Sequence, residues 1–228
     1  TFAYDRIGLF IIGILMNTTS VAIYDVSTRL PSALQGLFGS FIIVFFPNIS
    51  TLFSKNDKEN ASKLMNHSLH LISLILSSLA LLIILWKDPI VTILFSENYL
   101  ASAVPLALLM ISFIMRALSN ILGYSVVSAG FSKIPMKVNI FSMLLGISSS
   151  IVLVWQLGYI GAALSVIILN GVSLIQFSYY VKKLNLAVLE IFYLKPFITL
   201  ICVSVIILSF GIKSVILNLL FIALFILI

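Results

Sequence analysis

The run LLMISFIMRALSNILGYS, Leu108–Ser125, is apolar enough to sit in lipid, yet it carries Arg116 at its middle. An uncompensated charge at that depth costs at least ~2.5–3.5 kcal/mol on insertion scales. Two roles fit the guanidinium: an internal ion pair or cap on free carbonyls, or an anion contact in a water-filled cavity. Its planar fork suits phosphate oxygens in the second role. Ser112, Arg116, Ser119 and Gly123 share one helix face, with Asn120 at its edge. Asn66, His70, Ser73 and Ser77 share another face, and Gly13, Asn17, Ser20 and Tyr24 a third. Stripes that include Asn, His or Arg point to a shared hydrated cavity. Ser, Thr and Gly in such stripes also glue helices together, at roughly 0.6–2 kcal/mol per hydrogen bond. The small-xxx-small row Ser32, Gly36 and Ser40 is assigned to that close packing. Asp25 and Arg29, one turn apart, either pair with each other or line the cavity mouth. His67 and His70 fit interfacial positions, or a proton relay, since histidine titrates near neutrality.

This is chemistry of recognition, not of bond breaking. The sequence holds no nucleophile–base set, no phosphate-cradling Gly-rich loop and no metal-ligand spacing. Glu97 and Glu190 stand alone in loops, against paired-carboxylate catalysis. The single Cys202 excludes an internal disulfide and any multi-cysteine metal site. The expectation is a protein that is not an enzyme and holds no cofactor.

The elements that must position these residues follow from composition. The chain is 61% hydrophobic and 9% charged over 228 residues, where average chains are ~25% charged. Only helices or closed barrels span lipid, and unbroken apolar runs of about twenty residues are helices. The fold class is therefore all-α, a polytopic transmembrane bundle of about eight spans. They are placed near 7–24, 31–53, 64–86, 102–130, 138–156, 159–181, 194–211 and 214–228. Pro31 and Pro196 fall near helix starts, where a missing N–H costs little. The stretches Ile90–Phe95 and Leu184–Leu194 are too short to cross and are expected along the interface. Residues 1–181 form a six-helix lobe; 182–228 form a linker and a trailing hairpin. The chain opens on Thr1, carries no signal-peptide pattern and ends inside an apolar run. It is read as an internal or C-terminal piece of a longer protein.

Cation placement orients the bundle. One set of loops carries Arg6, Lys55, Lys58, Lys63, Lys133, Lys137, Lys182, Lys183 and Lys195; the other carries Arg29, Lys87 and Lys213. The first set is expected to be cytoplasmic: residue 1 and the loops 54–63, 131–137 and 182–195. The net charge of +6 does not mark a nucleic-acid binder, because the cations fall at span ends.

Three segments resemble polysaccharide flippases. GLFGSFIIVFFPNISTLFSKNDKENASKL is similar to that family's eighth span and following loop, where a helix ends near P-x-x-S. DPIVTILFSENYLASAVPLALLMIS resembles the short apolar stretch before F-x-x-x-Y and a long helix. SAGFSKIPMKVNIFSMLLGISSSIVLVWQLGYIGAALSVII resembles the next pair, with A-G closing one helix and G-Y-x-G-A-A opening another. The family is the O-antigen and exopolysaccharide branch of the multidrug/oligosaccharidyl-lipid/polysaccharide exporter superfamily.

The resemblance implies two six-helix lobes, of which this chain is the C-terminal one plus a trailing hairpin, the N-terminal lobe being absent. It implies a substrate of oligosaccharide on polyprenyl pyrophosphate, carried across the inner membrane by alternating access, with Na+ or H+ as possible coupling ions. Arg116 would then meet the pyrophosphate or an acidic sugar, and Asn17, Ser20 and Asn120 would meet hydroxyls. Ser112, Asp25, Arg29 and His70 complete the candidate cavity set. Two rivals stand beside it. A multidrug exporter would favour an acidic, aromatic cavity. A membrane polysaccharide polymerase would need a large outer loop with reactive residues, whereas the longest outer loop here is 87–102.

Overall fold

The computed structural model describes residues 7–189, 195, 196, 198 and 199. The predicted spans at 194–211 and 214–228 lie outside the described residues. Among the described residues the elements are all helical. They are α1 (Ile7–Leu15), α2 (Thr18–Ser54), α3 (Lys58–Leu85), α4 (Lys87–Phe95), a 3-10 turn (Glu97–Ser102), α5 (Ala103–Ser128), α6 (Lys133–Leu157) and α7 (Tyr159–Lys183). Five stretches are long and apolar enough to cross a membrane: α2, α3, the 3-10 turn with α5, α6 and α7.

The first two spans differ from expectation. No turn separates 7–24 from 31–53; α2 runs unbroken for 37 residues through Pro31 and Pro47. The break comes earlier, at Asn17, whose extended backbone ends one helix and caps the next. Its Oδ1 accepts from the Ser20 N–H at 2.9 Å and the Ser20 hydroxyl at 2.8 Å, a strong N-cap arrangement. At 1.5 Å per residue α2 is about 55 Å long, well beyond a hydrocarbon core of ~30 Å. Proline survives within such helices because packing and nearby Ser or Thr groups compensate the lost bond. In α2 the hydroxyls of Ser27 and Thr28 bond the carbonyls of Tyr24 and Asp25, not the Ser27 carbonyl that Pro31 leaves without its N–H, so packing is what carries the helix on. α1 turns back along the start of α2, with Gly8 against the Tyr24 ring and Gly13 against Val21.

Side-chain contacts set the register. Ser50 and Ser128 hydroxyls meet at 2.8 Å and Phe46 packs edge-on to Tyr124 at 5.5 Å, so α2 and α5 run parallel. Asn170 Nδ2 donates to Ser112 Oγ at 2.8 Å, and Ser112 donates to the Val166 carbonyl at 3.2 Å. These bonds tie α5 to a parallel α7. α6 and α7 form a tight antiparallel hairpin around Gly158, whose φ of +61° is a conformation few other residues accept. At Gly161 a Cβ would collide with the Leu153 carbonyl, and at Gly146 with Leu169. These two glycines let the helices touch.

α5 is the hub. Leu106, Met110, Ile114, Leu118, Ile121 and Leu122 are fully buried along it. α2 and α6 are rim elements: 17% and 28% of their most apolar windows are buried, against 56% for the α5 span. Ser32, Gly36 and Ser40 lie on a bare face of α2, and a Cβ on Gly36 would meet nothing. The close packing assigned to that row is therefore absent from the described residues. α4 stays at one end of the bundle, Val91 inward and Ile93 and Leu94 outward. The stretch after α7 does not lie free: Leu186 is buried, and Asn66 Nδ2 donates to the Val188 carbonyl at 2.8 Å.

With this register, Lys55, Lys58, Lys63, Lys133, Lys137, Lys182 and Lys183 gather at one end of the bundle, and Lys87 stands at the other. Arg29 belongs to neither end loop, since it lies within α2.

Candidate functional site

A cavity of about 100 Å³ opens between α1, α2, α5, α6 and α7. Gly8 contributes from α1, and Tyr24, Thr28, Pro31, Ser32 and Gln35 from α2. α5 supplies Leu109, Ser112, Phe113 and Arg116; α6 supplies Gly146, Ile147 and Ser150; α7 supplies Ser165, Val166, Leu169 and Asn170. The glycines matter locally. Gly8 leaves room for the Tyr24 ring and Gly146 for the Leu169 side chain.

The lining is rich in hydrogen-bond donors: Arg116, the Tyr24, Thr28, Ser32, Ser112, Ser150 and Ser165 hydroxyls, and the Gln35 and Asn170 amides. No carboxylate lines it among the described residues. Ser112 and Asn170, 1% and 5% exposed, are locked by their mutual bond. Ser150 is 3% exposed, and its hydroxyl makes no hydrogen bond to the protein. Buried polar atoms normally find a partner, so this hydroxyl is available to whatever fills the cavity. A water needs only ~10–15 Å³ of such room, so the cavity takes several waters or one small polar group.

The structure sorts the sequence candidates. Arg116 sits halfway along α5, partly buried, and faces the cavity with Ser112 one turn before it. Asn120, the next turn on, is outside the lining. Asn17 and Ser20 are engaged with each other in the α2 cap. Asp25 and Arg29 pair at 3.2 Å within α2, not at a loop, and the Arg29 guanidinium lies 5.8 Å over the Phe95 ring. Asp25 also borders a shallow, mostly apolar hollow with Leu9, Phe10, Gly13, Ile14 and Val21. His70 and its α3 stripe lie away from the cavity, to which α3 contributes nothing.

Sequence reasoning passed over Thr28, Gln35, Ser150, Ser165 and Asn170. Asn170 was findable: an amide at the middle of an apolar helix raises the same question as Arg116. Ser150 was hidden in a run of three serines, of which Ser148 and Ser149 bond to their own helix carbonyls.

A family model for a polysaccharide biosynthesis protein matches residues 1–105. Over 183 residues the chain is 22% identical to a Haloferax volcanii protein named "Probable low-salt glycan biosynthesis flippase Agl15". That match covers 80% of this chain and 39% of the relative. The chain resembles a polysaccharide flippase. The solved structure "Lipid II flippase MurJ, inward closed conformation" superposes with a TM-score of 0.69 at 16% identity. It covers 99% of this chain and 51% of that one, and it shows a shared fold. The chain thus spans about two-fifths of the curated relative and half of the solved structure. The named relatives are flippases, not enzymes.

Proposed function

We propose that this chain forms part of a flippase moving polyprenyl-pyrophosphate-linked oligosaccharide from the cytoplasmic to the outer leaflet. The observation that carries the reading is the cavity itself. It combines a mid-bundle guanidinium with amides and hydroxyls, and it lies inside a lobe whose fold matches a lipid II flippase. The room is too small for a chain of sugars. One phosphate or one acidic group reaches Arg116, while the glycan lies along the bare Ser32–Gly36–Ser40 face of α2. That larger chamber is closed by an N-terminal lobe supplied elsewhere in the protein, and rocking of the lobes exposes it alternately. The end bearing Lys55, Lys133 and Lys182 faces the cytoplasm of an inner membrane. Coupling to a Na+ or H+ gradient completes the proposal.

The drug-exporter reading finds no support in the lining, which lacks a carboxylate among the described residues. The decisive test is outer-leaflet delivery of lipid-linked oligosaccharide in cells carrying Arg116→Ala and Arg116→Lys. Ala stops delivery and lets the substrate accumulate inside, whereas Lys keeps part of it. Normal delivery with Ala removes Arg116 from the mechanism. Dissipating the Na+ and H+ gradients one at a time identifies the coupling ion. Maleimide labelling of cysteines placed at the exposed Lys55 and Gln156 in a Cys202→Ser background checks sidedness, with position 55 expected inside.

A further inference from the structure

The α6–α7 hairpin carries four lysines at one end, none of which lines the cavity. Gly146 stands against Leu169 across the hairpin. The same number of residues leads from Gly146 back to Lys133 as from Leu169 on to Lys182. Lys133 and Lys182 are therefore level on adjacent helices. Lys183 follows at once, and Lys137 lies one turn inward on α6. All four are exposed, and α5, α6, α7 and the loop 129–132 contain no Asp or Glu. At the neighbouring corner, by contrast, Lys63 is held by Glu59 at 2.6 Å.

What adjoins the cluster identifies its partner. Ile140, Phe141, Leu144, Ile151 and Val152 form a bare apolar face of α6, which in a bilayer meets acyl chains. Running along that face toward the cluster, Met136 and Phe131 are 60% and 40% exposed, and Tyr179 on α7 is 57% exposed. Lys183 lies 5.6 Å over the Tyr179 ring. An aromatic with a cation beside it, at the end of an apolar face, stands at headgroup depth. Clusters of Lys beside the ends of transmembrane helices attract anionic headgroups. We propose that Lys133, Lys137, Lys182 and Lys183 form a binding site for the phosphate of an anionic phospholipid in the adjoining leaflet. A soluble phosphate would have no use for the apolar face that continues from the cluster; a phospholipid uses both.

The test takes the intact protein in nanodiscs of phosphatidylcholine with one-fifth phosphatidylglycerol. Retained lipid is counted by native mass spectrometry after gentle detergent release. Wild type retains phosphatidylglycerol over phosphatidylcholine by at least about fivefold, roughly one lysine's contribution near a charged surface. K133Q/K137Q/K182Q/K183Q loses that preference, while K55Q/K58Q at the other corner keeps it. Unchanged retention in the fourfold variant overturns the proposal, and so does equal loss in both variants, which would mark bulk charge alone. Displacement of the lipid by millimolar inorganic phosphate also overturns it, since the site would then serve a free anion. The lysines are exposed, so an unchanged thermal melt confirms that each variant is folded.

Discussion

α3 and α5 carry polar stripes with the same spacing, and they do different work. On α3, Ser73 and Ser77 are completely buried among apolar side chains, and Asn66 reaches out to hold the Val188 carbonyl. On α5, Ser112 and Arg116 look into a cavity. The difference lies in the neighbours. α3 presses against α5 with bulky Leu69, Ile72 and Leu76 between its serines. Over Ser112, α1 contributes Gly8 and α6 contributes Gly146 and Ser150 to the lining, in place of bulky apolar side chains. A polar stripe shows that a helix face is turned inward; it does not show that there is room there.

The comparison is broken most severely by Arg116→Ala, expected to lower oligosaccharide delivery at least about tenfold, the scale of one lost charge-assisted bond. His70→Ala on the α3 stripe should leave delivery near wild type. Comparable losses in both would mean that the two stripes form one site after all.

Next in size is the packing that holds the cavity walls. Gly161→Ala forces a Cβ onto the Leu153 carbonyl and should destabilise the hairpin by about 1–3 kcal/mol, as overpacking does. Gly36→Ala, on open space, should leave thermal stability unchanged or slightly raised. Melting curves in detergent separate the two.

Smaller effects sharpen the contrast. Asn170→Ala removes the bond to Ser112 and should cost roughly 0.6–2 kcal/mol, together with part of the transport rate. Ser77→Ala removes a buried hydroxyl without a hydrogen-bond partner, which is close to neutral, and should leave transport intact.

The smallest concerns the turn before α3. Hydrogen bonds from the Asn60 side chain and backbone hold the Asp57 carboxyl below its ordinary value of 3.8. A depressed carboxyl stabilises the fold above its ordinary value, and that contribution fades as pH falls through the folded one. Amide exchange over residues 58–61 should therefore rise below pH 3.8, and Asp57→Asn should flatten that dependence.

Much of the architecture was legible because lipid allows so few solutions. The spans predicted at 64–86 and 102–130 are helices, as lipid requires; the second matches Ala103–Ser128 within two residues, and the first begins earlier, at Lys58, and ends at Leu85. Pro31 misled because proline near an apolar run reads as a helix start in water. Here the helix continues through Pro31, with Phe38 and Ile42 beyond it packed against the core. Asn17 reads as a cavity residue from its stripe, but its side chain caps α2 instead, because an amide suits a helix N-terminus as well as a hydroxyl partner.

By itself the amino-acid order determined that this is a bundle of membrane-length helices with cations at one end and a guanidinium at mid-depth, because hydrophobicity, length and charge act residue by residue. Only the tertiary structure decided that the α5 stripe borders open space and the α3 stripe does not. That outcome depends on the volumes that several distant helices bring to one point, and volume at a junction belongs to no single stretch of chain.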